Sequence, residues 1–208
     1  MIPHTQNDYD LLEVVSALQK EIRRGNEEQA MYWALELVPH FEQYLWKRLT
    51  VIVNEDIGIA NPLLLQLVPT QRTVYFDFRT ENRDGSARLA LANAILLMCR
   101  SPKSRIADHF QCAVNQDRLH GLHLEVPDYA LDKHTGRGKR RGRDVQHWLT
   151  EGCQLNPVSE IVDGYAVRAA DWWRGDEFIQ TDYKNRGTKK GQRPVVPSAE
   201  SDQLDFGF

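Results

Sequence analysis

Apolar residues recur at three- and four-residue steps through most of residues 8–118, and this periodicity commits the first half of the chain to amphipathic helices. Leu11, Leu12, Val14, Val15, Leu18 and Ile22 form one such stripe, with Asn7 or Asp8 as the expected N-cap and Gly25 as the stop. Asn26 then offers a second cap, with Gln29 three residues on as its capping-box partner. Met31, Trp33, Ala34, Leu37 and Val38 follow before Pro39, which predicts a helical hairpin with a very short turn.

A third helix is expected between His40 and Asn54, carried by Phe41, Tyr44, Leu45, Leu49, Ile52 and Val53. Pro62 and the run Leu63, Leu64, Leu65, Leu67, Val68 predict a short buried fourth helix ending near Pro69. Thr73–Phe78 fits either a brief strand or an irregular apolar turn. Gly85-Ser86 opens an apolar helix through Leu89, Leu91, Ile95, Leu96, Leu97 and Met98, and Ser101-Pro102 opens another through Ile106, Phe110 and Val114.

The expected fold is therefore mainly α, a compact helical bundle over residues 1–118. Residues 119–185 read as a basic, loop-rich extension packed on it, with one short helix between Asp144 and Glu151, and 186–208 as a polar, mobile tail. No apolar run approaches the roughly 20 residues of a membrane span. The N-terminal residues lack the pattern of a secretory signal, so a cytoplasmic location is expected. Cys99, Cys112 and Cys153 form no CxxC pair and are expected to be buried, reduced thiols.

Three stretches carry a family likeness. They are Ile22-Arg23-Arg24-Gly25-Asn26 leading into Ala30-Met31-Tyr32-Trp33-Ala34, then Arg48 through Asn54-Glu55-Asp56-Ile57-Gly58 to Asn61-Pro62, and the helix end Cys99-Arg100-Ser101-Pro102-Lys103-Ser104. Over roughly residues 12–115 the chain resembles the replication-associated recombination protein A family of clamp-loader-like AAA+ ATPases. The resemblance implies a fold like the clamp-loader collar domain, association into an oligomer, and a setting at stalled replication forks. The chain departs from the family in having no ATPase core, since neither the glycines at 136–142 nor those at 187–191 satisfy GxxxxGK[ST], so nucleotide hydrolysis is not expected to carry over. No cofactor is expected.

The densest chemical signal is Lys133, His134, Arg137, Lys139, Arg140, Arg141 and Arg143, interleaved with Gly136, Gly138 and Gly142. Six Lys or Arg in eleven residues, against a chain whose net charge is −3, read as a loop that contacts nucleic-acid phosphates, DNA in view of the family. Trp148, Trp172, Trp173 and Tyr183 are candidates either for base stacking or for anchoring a small core. His120, His123, Asp128, Asp132 and His134 are the residue types of a divalent-metal site, although their spacing matches no metal motif; a metal-dependent nuclease is the alternative they support. Glu55 and Asp56 are expected to bridge helices rather than act as acid and base. The final Gln203, Leu204, Phe206 and Phe208 are similar to peptides that dock on a sliding clamp. A third reading is an oligomerisation module that pairs with a separate replication ATPase.

Overall fold

A computed structural model describes residues 3–38 and 40–175, and the chain divides into two compact units between His123 and Leu124. Among the described residues every regular element is helical, and no helix is long and apolar enough to cross a membrane.

Among its described residues the first unit holds six α-helices: α1 Leu11–Arg24, α2 Glu27–Glu36, α3 Glu42–Ile52, α4 Leu64–Thr80, α5 Asp84–Arg100 and α6 Ile106–Leu119. Helix α1 is capped by Asp10, not by Asn7 or Asp8: the Asp10 carboxylate accepts from the backbone N–H of Leu12 at 2.7 Å and of Glu13 at 3.3 Å. Asn7 and Asp8 are unavailable because the Asn7 amide donates to Glu36 and Asp8 sits at φ 63° in the preceding turn. Gly25 ends the helix at φ 79°, and its N–H closes on the carbonyls of Glu21 and Ile22, which is the left-handed stop that glycine permits. Asn26 stands at the N-cap of α2 but makes no capping bond, since its amide donates to Glu21 at 2.6 Å.

Leu18, Ile22, Ala30, Ala34, Trp46, Leu49, Ile52, Leu91, Ala94, Ile95 and Met98 meet in one buried core. Alanines on α2 and α5 let these helices approach α1 closely, and the Trp46 ring packs on Tyr75 with centroids 5.3 Å apart.

The predicted short helix at Leu63–Val68 is instead the start of the long α4, and Thr73–Phe78 is neither strand nor turn. Proline lacks the N–H that would bond four residues back and normally kinks or ends a helix. Here helical structure continues past Pro69 because α4 packs along α5, with Leu64, Val68 and Tyr75 buried on one side. The Thr70 and Thr73 hydroxyls bond back to the carbonyls of Gln66 and Pro69 at 2.9 and 3.3 Å.

After α3 the chain widens into a π-turn, Val53–Ile57, and then a 3₁₀ turn, Gly58–Ala60. This turn aims Asp56 inward. Its carboxylate is 1% exposed and receives Arg23 at 2.9 Å and the Gln19 amide at 2.9 Å, while its backbone carbonyl accepts Ser104 N–H at 2.9 Å. Glu55 bonds Gln19 at 3.1 Å and Arg105 at 3.2 Å, and Arg48 donates to the other side of the Gln19 amide. The two acids thus tie α1 to the start of α6, as bridging residues.

The second unit has α7 Gly136–Arg140, α8 Val145–His147 running into a π-turn at Trp148–Gly152, and α9 Ala166–Arg174. Only the Asp144–Glu151 helix among these is evident from periodicity. Of the three cysteines Cys99 is buried, whereas Cys112 on α6 and Cys153 are exposed, against the expectation for all three. Cys112 lies on a helix whose residues are all at least partly exposed, so its apolar neighbours form no inner face.

Candidate nucleic-acid interface

The basic segment is half helix rather than loop. Thr135 accepts the Gly138 N–H at 2.9 Å on its hydroxyl and so caps α7. Gly138 is buried, and a Cβ placed there would lie 1.8 Å from the Asp132 carbonyl oxygen, so only glycine allows α7 to pack so closely on the preceding turn. Asp132 closes that turn by accepting the His134 N–H and the His134 ring, each at 2.9 Å, and these bonds hold its carboxyl below the usual range.

The seven candidate side chains separate into two groups. Arg141 and Arg143 both reach Asp128, at 2.5 and 2.6 Å, and Lys133 lies 5.1 Å above the Trp148 ring while His134 bonds Asp132. Arg137, Lys139 and Arg140 are exposed on α7 and have no carboxylate partner among the described residues. One carboxylate shared by two arginines leaves the segment strongly cationic. A helical turn whose surface cations have no carboxylate partner among the described residues, with glycines at its ends, is an arrangement that could present charge to an anion.

Trp148 packs edge-on against Trp173, with centroids 5.0 Å apart, and the His134 ring meets Trp148 edge-on at 6.0 Å. Together with buried Leu131, these rings hold the unit together, so Trp148 and Trp173 are anchors. Trp172 is exposed; Tyr183 lies outside the described residues, as do Gln203, Leu204, Phe206 and Phe208.

Among the described residues no group of three or more His, Cys, Asp or Glu side chains is placed to hold a metal ion. Asp128 is engaged by two arginines and Asp132 by His134. His120, just past the end of α6, donates its ring Nδ1–H to the Gln116 carbonyl, 2.8 Å away. Gly138, which from the sequence reads as room for a phosphate chain, is instead buried against the Asp132 turn, and the capping role of Thr135 is not read from the sequence; the Thr-x-x-Gly spacing before a basic run is the signal that carries both.

Among its described residues the first unit is all helical, which fits a C-terminal helical domain of an AAA+ ATPase. Residues 25–150 match the family described as MgsA AAA+ ATPase C terminal, and the chain belongs to that family. It is similar to the replication-associated recombination protein A of Bacillus subtilis strain 168, 31% identical over 140 residues that cover 65% of this chain and 31% of that protein. The protein of the same name from Escherichia coli K12 is 29% identical over 203 residues, covering 94% of this chain and 41% of its own. An uncharacterized AAA domain-containing protein of Mycobacterium tuberculosis H37Rv is 29% identical over 160 residues, 73% of this chain and 34% of that protein. The chain therefore spans about a third of the length of the curated relatives it matches.

Proposed function

We propose that the chain is a DNA-associated accessory module of replication and recombination, which associates through its first unit and contacts nucleic acid through residues 133–143. The observation that carries the reading is the set Arg137, Lys139 and Arg140, exposed on a glycine-flanked turn without carboxylate partners among the described residues. The names of the relatives supply the setting.

Association is supported by α6, none of whose residues is buried. Ile106, Phe110 and Val114 recur every four residues along one face, and Phe110 is 68% exposed. A contiguous apolar helix face in water favours a covering surface. The same reading assigns Gln203, Leu204, Phe206 and Phe208 to a sliding clamp, and a Phe206→Ala, Phe208→Ala variant then loses retention on immobilised clamp.

Gel shifts of the full chain on duplex and forked DNA, with and without magnesium, test the function. Retardation without cleavage supports an accessory role. Metal-dependent cutting that Asp132→Ala abolishes replaces it with the nuclease, and no retardation at low salt leaves the oligomerisation module.

A further inference from the structure

Helix α9 lies beyond residues 25–150, the span of the family match, and it carries a surface that the packing of the described residues of its own unit does not use. Its Ala169, Ala170 and Trp173 turn inward to half-buried positions, and Trp173 meets Trp148. On a neighbouring arc, at steps of three and four residues, stand Tyr165, Arg168 and Trp172. Tyr165 is 71% exposed and Trp172 53% exposed, and the Arg168 guanidinium lies 5.4 Å from the centroid of the Tyr165 ring. The carboxylates of this helix region are taken up elsewhere: Asp171 pairs with Arg174 at 3.7 Å, and Asp163 accepts the Tyr165 backbone N–H at 2.9 Å.

We infer that this aromatic–cation–aromatic stripe binds unpaired nucleic-acid strand by stacking, and so makes the second unit prefer single strand over duplex. The inference rests on the phosphate-contacting reading of the basic segment. Two rings with a guanidinium between them match the chemistry of a bare strand, whose bases offer faces to aromatic side chains while its phosphates seek cations. Along a helix axis Tyr165 and Trp172 are about 10 Å apart, about three base rises, which sets Arg168 beside the intervening phosphates. In a duplex the base faces are occupied by their neighbours, so the rings gain nothing there. Charge complementarity favours nucleic acid over an apolar protein partner, for which the central arginine would be a burial cost.

The stripe belongs to the same unit as the basic segment. Trp148 contacts both Trp173 and Lys133, and the Arg174 side chain donates to Gln146 at 3.1 Å. A strand bound at α7 therefore has a stacking surface on the same small body.

The test measures fluorescence anisotropy of labelled oligothymidine and of a blunt duplex with the full chain, its Trp172→Ala, Trp172→Phe and Tyr165→Ala variants, and an Arg137→Gln, Lys139→Gln, Arg140→Gln variant. Loss of one stacked base predicts that Trp172→Ala weakens oligothymidine binding about tenfold, with duplex binding unchanged and with Trp172→Phe restoring most of the loss. Tyr165→Ala acts in the same direction. Equal losses on both ligands, or unchanged single-strand affinity, overturn the inference. If Trp172→Ala instead dissociates an oligomer and leaves oligothymidine binding intact, the stripe is a contact between copies and the inference is likewise overturned. The α7 variant reports separately: unchanged duplex binding there sinks the phosphate-contacting role of the basic segment, whatever Trp172 does.

Discussion

The Arg23 guanidinium, on α1, lies 2.9 Å from the carboxylate of Asp56, which the π-turn after α3 buries almost completely. This pair joins segments far apart in sequence, and Gln19 and Arg105 complete the set of donors around Glu55 and Asp56. Removing Asp56 takes the nearer carboxylate from a partly buried cation and from an amide, leaving Arg23 with Glu55 at 3.4 Å and the Gln19 amide with Glu55 at 3.1 Å. Because Arg23 is a third exposed and regains water, Asp56→Ala is expected to cost about 2–3 kcal/mol, short of the full penalty for breaking a buried pair. Urea unfolding of the first unit measures it; an unchanged midpoint contradicts the bridging role.

Gly138 is the position at which the basic turn tolerates no side chain. The Asp132 carbonyl would lie 1.8 Å from a new Cβ and is backbone, so it cannot move aside cheaply. Gly138→Ala is expected to destabilise the second unit by about 2–3 kcal/mol, in the range of overpacked sites. Limited proteolysis then shows early cleavage between residues 124 and 150 while the first unit remains protected.

The Cys99 thiol is pushed up by burial from 9.0 to about 11, and burial together with Glu42 raises the Tyr75 hydroxyl above its ordinary value. A group whose acidity is suppressed in the fold adds stability below its unfolded pKa and loses it as pH rises through the folded one. Stability of the first unit is therefore expected to fall between pH 9.0 and about 11, and Cys99→Ala flattens part of that loss. At neutral pH a thiol reagent labels exposed Cys112 and Cys153 and reaches Cys99 only on unfolding.

If the α6 stripe is covered by a second copy, an aspartate at Phe110 or Val114 disrupts the association without unfolding the monomer. Sedimentation of Phe110→Asp is then expected to show the single-chain mass with wild-type helical circular dichroism. A wild-type chain that sediments as a monomer contradicts association through this face.

Most of the first unit is legible from spacing, because α1, α3 and α5 present regular apolar faces to one core. α4 is not legible, because Pro69 reads as a stop and β-branched and aromatic residues after it read as extended, while packing against α5 overrides both. α7 and α9 are too short for periodicity to register, and α7 is further masked by its glycines. The positive charge of residues 133–143 is plain from composition. Its division is not: that Asp128 takes Arg141 and Arg143 while Arg137, Lys139 and Arg140 have no carboxylate partner among the described residues depends on a turn that brings residue 128 beside residues 141 and 143.

The most direct measurement is the salt dependence of duplex binding by the full chain and by its Arg137→Gln, Lys139→Gln, Arg140→Gln variant. Each lost phosphate contact lowers the slope of log affinity against log salt by about 0.9, so the variant is expected to bind more weakly at low salt with a slope shallower by about 2–3. The same slope and the same affinity in both proteins would show that these three side chains touch no phosphate, and would contradict nucleic-acid contact through this turn.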